Sequence, residues 1–371
     1  MSLYQFPRKI YFQRDIFDSI SEILSNEGLK NILLITDRNI FRKWESRIRK
    51  SIGDIKWDVF SDVLPEPKIQ YIEKTAERFS GNDYDGIIAM GGGSVIDFAK
   101  SIAIKLSDPS SDLAVINPFT PLNLKVKLIA VPTTSGTGSD VSFGVVLSDS
   151  SGKLALGNYD LVPYIDILDP SLTPEDKAII LPTGIDAFVH SFESIASNTS
   201  TSLTDALAEK AIEIIRGNLK RAMDSDEDAK DAMHLAATMA GMAFSNSGTA
   251  LAHALGHSFG ATFHVTHGTS VGLFLMPSMR FNNKDEATAN KYKKLAGRLG
   301  FDSFDLLLED ISMFFKGVGQ PTKVRDLNID KETYFGKINQ MVYLALRDSE
   351  LAFNPVIAGE DDIKLIFEGN Y

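Results

Sequence analysis

A change in hydrophobic pattern near residue 170 constrains the fold of this chain more than any other feature. Before it, short apolar runs alternate with stretches of helical spacing, and the clearest runs are NILLIT at 31–36, DGIIAM at 85–90 and KLIAV at 127–131. Runs of this length fit the buried strands of a parallel sheet. Strand, helix and strand in succession therefore predict an α/β N-terminal domain with a mostly parallel sheet over residues 1–170.

Beyond residue 170 the strand signals fade, and alanine- and leucine-rich stretches dominate. We predict an all-helical C-terminal domain over residues 171–371. The predicted helices are 16–26, 69–79 and 94–104 before the boundary, and 184–197, 203–223, 229–246, 251–259 and 286–299 after it. A further short strand is predicted at 57–60.

Composition excludes several classes of protein. The length of 371 residues fits about two domains. A net charge of −11 without a basic tract argues against a nucleic-acid partner. The absence of cysteine excludes disulfides and cysteine-ligated metals, and it is compatible with a reducing cytoplasm. The start of the chain does not resemble a signal peptide and no apolar run approaches the ~18 residues of a membrane span, so we expect a cytoplasmic protein without a membrane partner.

Two glycine-containing loops follow successive predicted strands. GGGSVIDFAK at 91–100 opens a helix, whose N-terminal N–H groups suit a pyrophosphate; the alternative is a plain turn with Ser94 as the helix N-cap. VPTTSGTGSD at 131–140 offers hydroxyls to phosphate or ribose oxygens; the alternative is a flexible surface loop. Ligands bind beyond the carboxyl ends of parallel strands, so the pair of loops favours a Rossmann-like dinucleotide site.

Asp37 follows the strand at 31–36. An acidic residue at such a strand end can hold the ribose hydroxyls of NAD and repel the 2′-phosphate of NADP. The alternative is an ordinary turn residue.

A spacing pattern of one aspartate and several histidines indicates a metal site. Asp186 and His190 lie four residues apart, as do His253 and His257, and His267 follows ten residues later. Residues four apart share one face of a helix. A carboxylate and imidazoles gathered from two helices are ligands that Fe(II) or Zn(II) accepts. For any single histidine the alternative is a structural role, which is the role expected of His234 and His264.

Taken together, these segments resemble the iron-containing (group III) alcohol dehydrogenase family over nearly the whole chain. The resemblance rests on GGGSVIDFAK, PTTSGTGSD, LDPSLTP, LPTGIDAFVHSFES and GTALAHALGHSFGATFHVTHGTSVG, in that order. It implies a dinucleotide-binding N-terminal domain, a helical C-terminal domain, a catalytic divalent metal and a homodimer or larger homo-oligomer. Fe(II) is the metal that the family implies, with Zn(II) or another divalent ion also compatible, and NAD is expected over NADP.

The resemblance also implies roles for individual residues. The metal ligands correspond to Asp186, His190, His253 and His267. His257 corresponds to a histidine near the nicotinamide, which either transfers protons or only shapes the pocket. The dinucleotide contacts correspond to Asp37 at the adenosine ribose, Gly92, Gly93 and Ser94 at the pyrophosphate, Thr133, Thr134, Thr137 and Ser142 at the nicotinamide side, and Lys153 at a ribose hydroxyl.

The expected function is metal-dependent, NAD(H)-linked interconversion of a primary alcohol or diol and an aldehyde, with the metal acting as a Lewis acid on the substrate oxygen. Alternatives on the same scaffold are glycerol dehydrogenase-like and maleylacetate reductase-like activities. A non-catalytic metal- or nucleotide-binding protein is an alternative of a different class. Gly144 and Glu350 depart from residues common in the family (Asn in some lactaldehyde-type members, and Cys), so the specific substrate does not transfer from the resemblance.

Overall fold

A computed structural model of the chain describes residues 3–149 and 153–371, and within it the chain divides into two compact units, Met1–Pro174 and Glu175–Tyr371. The strands of the first unit are β1 (Lys9–Phe12), β2 (Asn31–Thr36), β3 (Lys56–Phe60), β4 (Gly86–Gly91), β5 (Lys127–Pro132), β6 (Gly144–Ser148), β7 (Lys153–Gly157) and β8 (Ile165–Leu168). Its helices are α1 (Ile20–Asn26), α2 (Arg38–Ile52), α3 (Ile69–Phe79) and α4 (Gly93–Ser107).

The described part of the first unit contains a six-stranded sheet with the order β1-β8-β5-β4-β2-β3, in which every neighbouring pair is parallel. Strand β4 pairs with β2 at Thr36↔Met90 and with β5 at Met90↔Val131, so β2, β4 and β5 end side by side. Strands β6 and β7 form a separate antiparallel pair. The predicted α/β, Rossmann-like class is confirmed, and the segments that follow β2, β4 and β5 emerge at one edge of the sheet.

Both faces of this sheet are covered, which explains why the strands are continuously apolar. In β2, Leu33 and Ile35 belong to one buried cluster, whereas Ile32 and Leu34 belong to another. Successive side chains of a strand point to opposite faces. Each fully buried side chain of this kind contributes roughly 1.5–3 kcal/mol relative to an exposed one.

The second unit is helical throughout, as predicted from its sequence. Its helices are α5 (Lys177–Ala196), α6 (Ser202–Met223), α7 (Glu227–Ser247), α8 (Leu251–Phe263), α9 (His267–Asn282), α10 (Glu286–Arg298), α11 (Phe304–Val318), α12 (Lys331–Ala345) and α13 (Glu360–Gly369). One large apolar core joins them. Close approach of α5 to α6 depends on Gly184, because a Cβ there would lie 2.4 Å from Leu219 Cδ1. No helix in the described ranges is long and apolar enough to cross a bilayer.

Several local predictions differ from the structure. The predicted helix at 16–26 begins with a 3₁₀ turn, Ile16–Ser19, and becomes α-helical only at Ile20. Helix α4 begins at Gly93 with Gly92 as its N-cap, so the alternative role of Ser94 as the cap is wrong. Strands β1, β6, β7 and β8 were not predicted. The largely exposed β1 and the four-residue β8 lack a clear hydrophobic period, and each needs its partner to become a strand.

Candidate metal centre and dinucleotide loops

Four side chains of the second unit converge on one point. Asp186 and His190 lie on α5, His253 lies on α8, and His267 is the first residue of α9. One ligand atom of each lies within 4.8 Å of the others. The Nε2 atoms of His190, His253 and His267 lie 3.8, 3.7 and 3.1 Å from Asp186 Oδ1. The sequence-based expectation of two helices is wrong, because the chain turns at His264 with a φ of 56° and a third helix begins at His267.

Glycines allow the three helices to approach closely enough for this convergence. A Cβ on Gly268 would lie 1.7 Å from the carbonyl oxygen of Pro182, where α9 meets α5. A Cβ on Gly256 would lie 2.6 Å from Val271 Cγ1, where α8 meets α9. Both distances are far below van der Waals contact, so the positions of His253 and His267 depend on neighbouring residues without side chains.

Burial and charge make this cluster suited to a cation. Asp186, His190 and His253 are 2–4% exposed, whereas the His267 side chain is 43% exposed. Burial opposes ionisation of Asp186, but the neighbouring imidazoles of His267, His190 and His253 hold its pKa well below the usual value. Among the residues that the structure describes, Asp186 Oδ1 and His253 Nε2 are buried without a hydrogen-bond partner. A divalent metal would satisfy both atoms, and one carboxylate with three imidazoles is a donor set that Fe(II) and Zn(II) accept.

Glu193 is a hydrogen-bond partner of one of these ligands, and it was not predicted as a site residue from the sequence. It lies on the same face of α5 as Asp186 and His190, and its Oε2 is hydrogen-bonded to Nδ1 of His253. Its Oε1 accepts the backbone N–H of Ala252 at 2.5 Å. Burial lowers the pKa of His253, but Glu193 and Asp186 together raise it to about 10. The bond to Glu193 places a proton on Nδ1 and directs Nε2 toward Asp186. Its position three residues after His190, which places both on one face of a helix, is the sequence signal that could have revealed it.

His257 lies beside the four-residue cluster and has its own carboxylate partner. Its Nδ1 donates to Asp348 Oδ2 at 2.7 Å, and its ring stacks on that of His267 at 5.1 Å. The other oxygen of Asp348 accepts the backbone N–H of Glu350 at 2.9 Å. Burial raises the pKa of Asp348, but the hydrogen bond and charge of His257, the N–H of Glu350 and the charge of His253 together hold that pKa below its usual value. This arrangement leaves Nε2 of His257 as a hydrogen-bond acceptor. Asp348 lies 91 residues from His257 in the chain, so no sequence pattern predicts their contact.

In the first unit, the two predicted nucleotide loops lie against each other. A Cβ on Gly92 would lie 3.4 Å from the side chain of Thr134, and a Cβ on Gly93 would lie 3.1 Å from that of Thr137. The backbone N–H of Thr133 donates to Gly91 O at 3.0 Å. The hydroxyl-rich loop after β5 therefore covers the start of α4, where helix N–H groups are available.

Helix α4 holds the far end of the hydroxyl-rich loop through two buried charged residues. Lys100 donates to Ser142 O at 2.7 Å and to Gly144 O at 2.9 Å, and Asp97 accepts the N–H of Val146 at 3.0 Å. Burial lowers the pKa of Lys100 to about 8, even though Asp97 opposes this change. Ser142 is itself buried, and the hydrogen bond from Lys100 holds its backbone carbonyl in place.

Two further residues, Asp37 and Lys153, were predicted to contact the dinucleotide. Asp37 is the N-cap of α2, because its Oδ1 accepts the N–H groups of Asn39 at 2.8 Å and Ile40 at 3.0 Å. This gives Asp37 a structural role in addition to any contact with a ribose. Lys153 is the first residue of β7, and its side chain lies outside the described part of the structure.

The fold and the four-residue cluster define a class of two-unit protein, with a parallel α/β sheet in one unit and a candidate metal site between helices of the other. Comparisons with known proteins identify its family. Residues 7–170 match the family model described as iron-containing alcohol dehydrogenase, and residues 180–371 match the C-terminal model of the Fe-containing alcohol dehydrogenase family. The NADPH-dependent butanol dehydrogenase of Clostridium saccharobutylicum is 30% identical over 100% of this chain and 98% of its own. The chain belongs to the iron-containing alcohol dehydrogenase family, which confirms the resemblance in the sequence.

Solved structures agree with this assignment. The iron-containing alcohol dehydrogenase of Thermococcus thioreducens is similar with a TM-score of 0.92 and 29% identity, covering 100% of this chain and 99% of that one. The sulfoacetaldehyde reductase of Bifidobacterium kashiwanohense, solved with NAD⁺, has a TM-score of 0.89 and 26% identity over 100% and 98%. Some curated relatives are longer: the chain spans 46% of aldehyde-alcohol dehydrogenase 2 of Entamoeba histolytica, at 28% identity over 99% of this chain.

Proposed function

We propose that this protein is a metal-dependent, NAD(H)-linked oxidoreductase that interconverts a primary alcohol or diol and an aldehyde by hydride transfer. The observation that carries the proposal is the convergence of Asp186, His190, His253 and His267, with ligand atoms within 4.8 Å. Membership of the iron-containing alcohol dehydrogenase family supports it. The relatives named for butanol and for sulfoacetaldehyde are consistent with a primary alcohol and an aldehyde as the two substrate forms.

Asp186, His190, His253 and His267 would hold the metal, for which we propose Fe(II), with Zn(II) or another divalent ion as an alternative. When bound, such an ion supplies Lewis-acid polarisation of the substrate oxygen. The protein prepares the site by keeping Asp186 ionised and by fixing the tautomer of His253 through Glu193.

His257 is the proposed proton acceptor during alcohol oxidation. Its Nδ1 is engaged by Asp348, so the alcohol proton passes to Nε2, directly or through a water molecule. Asp348 then stabilises the imidazolium that forms. Bound NAD⁺ would supply the hydride acceptor, so that alcohol and NAD⁺ would give aldehyde, NADH and a proton.

The first unit would hold the dinucleotide at the carboxyl edge of its sheet. Its support is the packing of the hydroxyl-rich loop over the start of α4, which gathers hydroxyls and helix N–H groups. The proposed contacts are Gly92, Gly93 and Ser94 for the pyrophosphate, Thr133, Thr134, Thr137 and Ser142 for the nicotinamide side, Lys153 for a ribose hydroxyl and Asp37 for the adenosine ribose. We propose NAD(H) as the preferred cofactor because an acidic residue follows β2.

The test has a binding arm and an activity arm. Protein loaded with Fe(II) or Zn(II) should oxidise short-chain alcohols or diols with NAD⁺ and reduce the matching aldehydes with NADH. His267→Ala should lose bound metal, measured by elemental analysis, while keeping the circular dichroism of the wild type. Stoichiometric metal in that variant would contradict the ligand assignment, and a wild type inactive across the panel would contradict the function. We also propose a cytoplasmic homo-oligomer, in line with family membership. Light scattering of the purified protein tests the oligomeric state.

A further inference from the structure

The edge of the sheet beside the proposed adenosine ribose site carries two carboxylates and one guanidinium. Asp37 follows β2, and Asp62 lies two residues beyond the end of the neighbouring parallel strand β3. The backbone N–H of Val63 donates to Thr36 O at 3.3 Å, which places Asp62 close to Asp37. Thr36 Oγ1 in turn donates to Met90 O at 2.7 Å, so this edge adjoins the glycine loop after β4.

Arg38, the residue after Asp37, is turned toward Asp62. Its Nε and Nη2 donate to the same oxygen, Asp62 Oδ1, at 3.1 and 2.7 Å. The backbone of Asp62 is fixed independently, because Tyr71 donates its hydroxyl proton to Asp62 O at 2.8 Å. Both side chains of the pair are exposed, at 65% and 46%, so a ligand can reach them.

An arginine beside the adenosine ribose can bind the 2′-phosphate of NADP. In Rossmann-type dinucleotide sites, an acidic residue at a strand end binds the 2′-hydroxyl of NAD, whereas a nearby arginine accommodates the 2′-phosphate of NADP. Here the strand that ends before Asp37 pairs directly with the strand that ends at the glycine loop. This chain carries both residue types side by side, Asp37 and Arg38. Which of the two determines the preference therefore depends on what else binds the arginine.

We propose that Asp62 is a specificity-determining residue, which holds the Arg38 guanidinium away from a 2′-phosphate and thereby favours NAD(H) over NADP(H). The inference rests on the proposed dinucleotide site. Asp62 acts through Arg38, whose guanidinium it binds through Oδ1. An exposed ion pair such as Arg38–Asp62 changes an equilibrium constant by up to about fivefold. The discrimination against NADP(H) that it provides is therefore moderate, and it falls as the salt concentration is raised.

The experiment measures dissociation constants for NADH and NADPH without substrate, by energy transfer from tryptophan to the reduced nicotinamide. The variants are Asp62→Ala, Arg38→Ala and the double variant, with Glu45→Ala as the matched control. Glu45 binds Nε and Nη2 of Arg49 at 3.0 and 2.8 Å on the same helix, with similar exposure of 44% and 58%. Glu45→Ala therefore also frees an arginine on α2, but near the opposite end of the helix from Asp37.

Asp62→Ala should bind NADPH about fivefold more tightly than the wild type, and the gain should disappear in the double variant. NADH affinity should stay within about twofold in all variants, and Glu45→Ala should match the wild type. An unchanged NADPH affinity in Asp62→Ala would overturn the inference, as would a gain that persists without Arg38. A wild type that binds neither nucleotide would remove the dinucleotide site itself, and this inference with it.

Discussion

Replacing Glu193 with glutamine tests the metal centre through a residue that is not itself a proposed ligand. Two donors converge on its carboxylate, the backbone N–H of Ala252 on Oε1 and Nδ1 of His253 on Oε2. A carboxylate accepts both, whereas an amide offers one acceptor and one donor. In Glu193→Gln, either the Ala252 N–H loses its partner or His253 moves its proton to Nε2, the nitrogen that faces Asp186.

Either outcome weakens metal binding. Changing the partner of a metal-ligating histidine typically costs 10- to 100-fold in metal affinity, or about 1.4–2.7 kcal/mol. We expect a loss in this range for Zn(II), measured by competition with a chromophoric chelator at pH 7. Glu209→Gln is the control, since Glu209 is a glutamate of the same unit that pairs with Arg298. A folded Glu193→Gln protein with zinc affinity within about twofold of the control would refute the reasoning.

Two further predictions concern packing and pH. Gly268→Ala should lower the free energy of unfolding by about 1–3 kcal/mol, because its Cβ would lie 1.7 Å from Pro182 O; Gly297→Ala, with open space around its Cβ, should instead stabilise by about 0.4–1 kcal/mol in the same urea titration. Asp166 is fully buried, and burial together with Asp140 raises its pKa well above the usual value. Because the folded state binds this proton more tightly than the unfolded state, the protonated carboxyl adds its full stability at low pH. That stability is lost as pH rises above about 4, the usual pKa of an unfolded aspartate. Asp166→Asn should be more stable than the wild type at pH 7 by roughly 1–3 kcal/mol and equal to it at pH 3; equal stability at both pH values would contradict this assignment.

Local periodicity accounts for the elements that the sequence predicted well. The strand at 31–36 and the helix at 69–79 have the predicted bounds in the structure. Each is specified by its own apolar spacing, and no distant partner is needed to recognise it. The four-residue steps from Asp186 to His190 and from His253 to His257 are likewise local, since both pairs lie within single helices.

The sequence by itself thus determined the two-part fold class, the helices that carry Asp186, His190, His253 and His257, and the glycine turns after the strands, but not the helix that begins at His267. Only the tertiary structure decided which side chains meet. His257 contacts Asp348 across 91 residues, and Lys9 of β1 pairs with Ile165 of β8. Such contacts follow from helix packing and strand order, which bring together residues whose separation in the chain carries no periodic signal. A hydrophobic period specifies the face that an element buries, whereas the partner buried against that face is chosen by the packing of the whole unit.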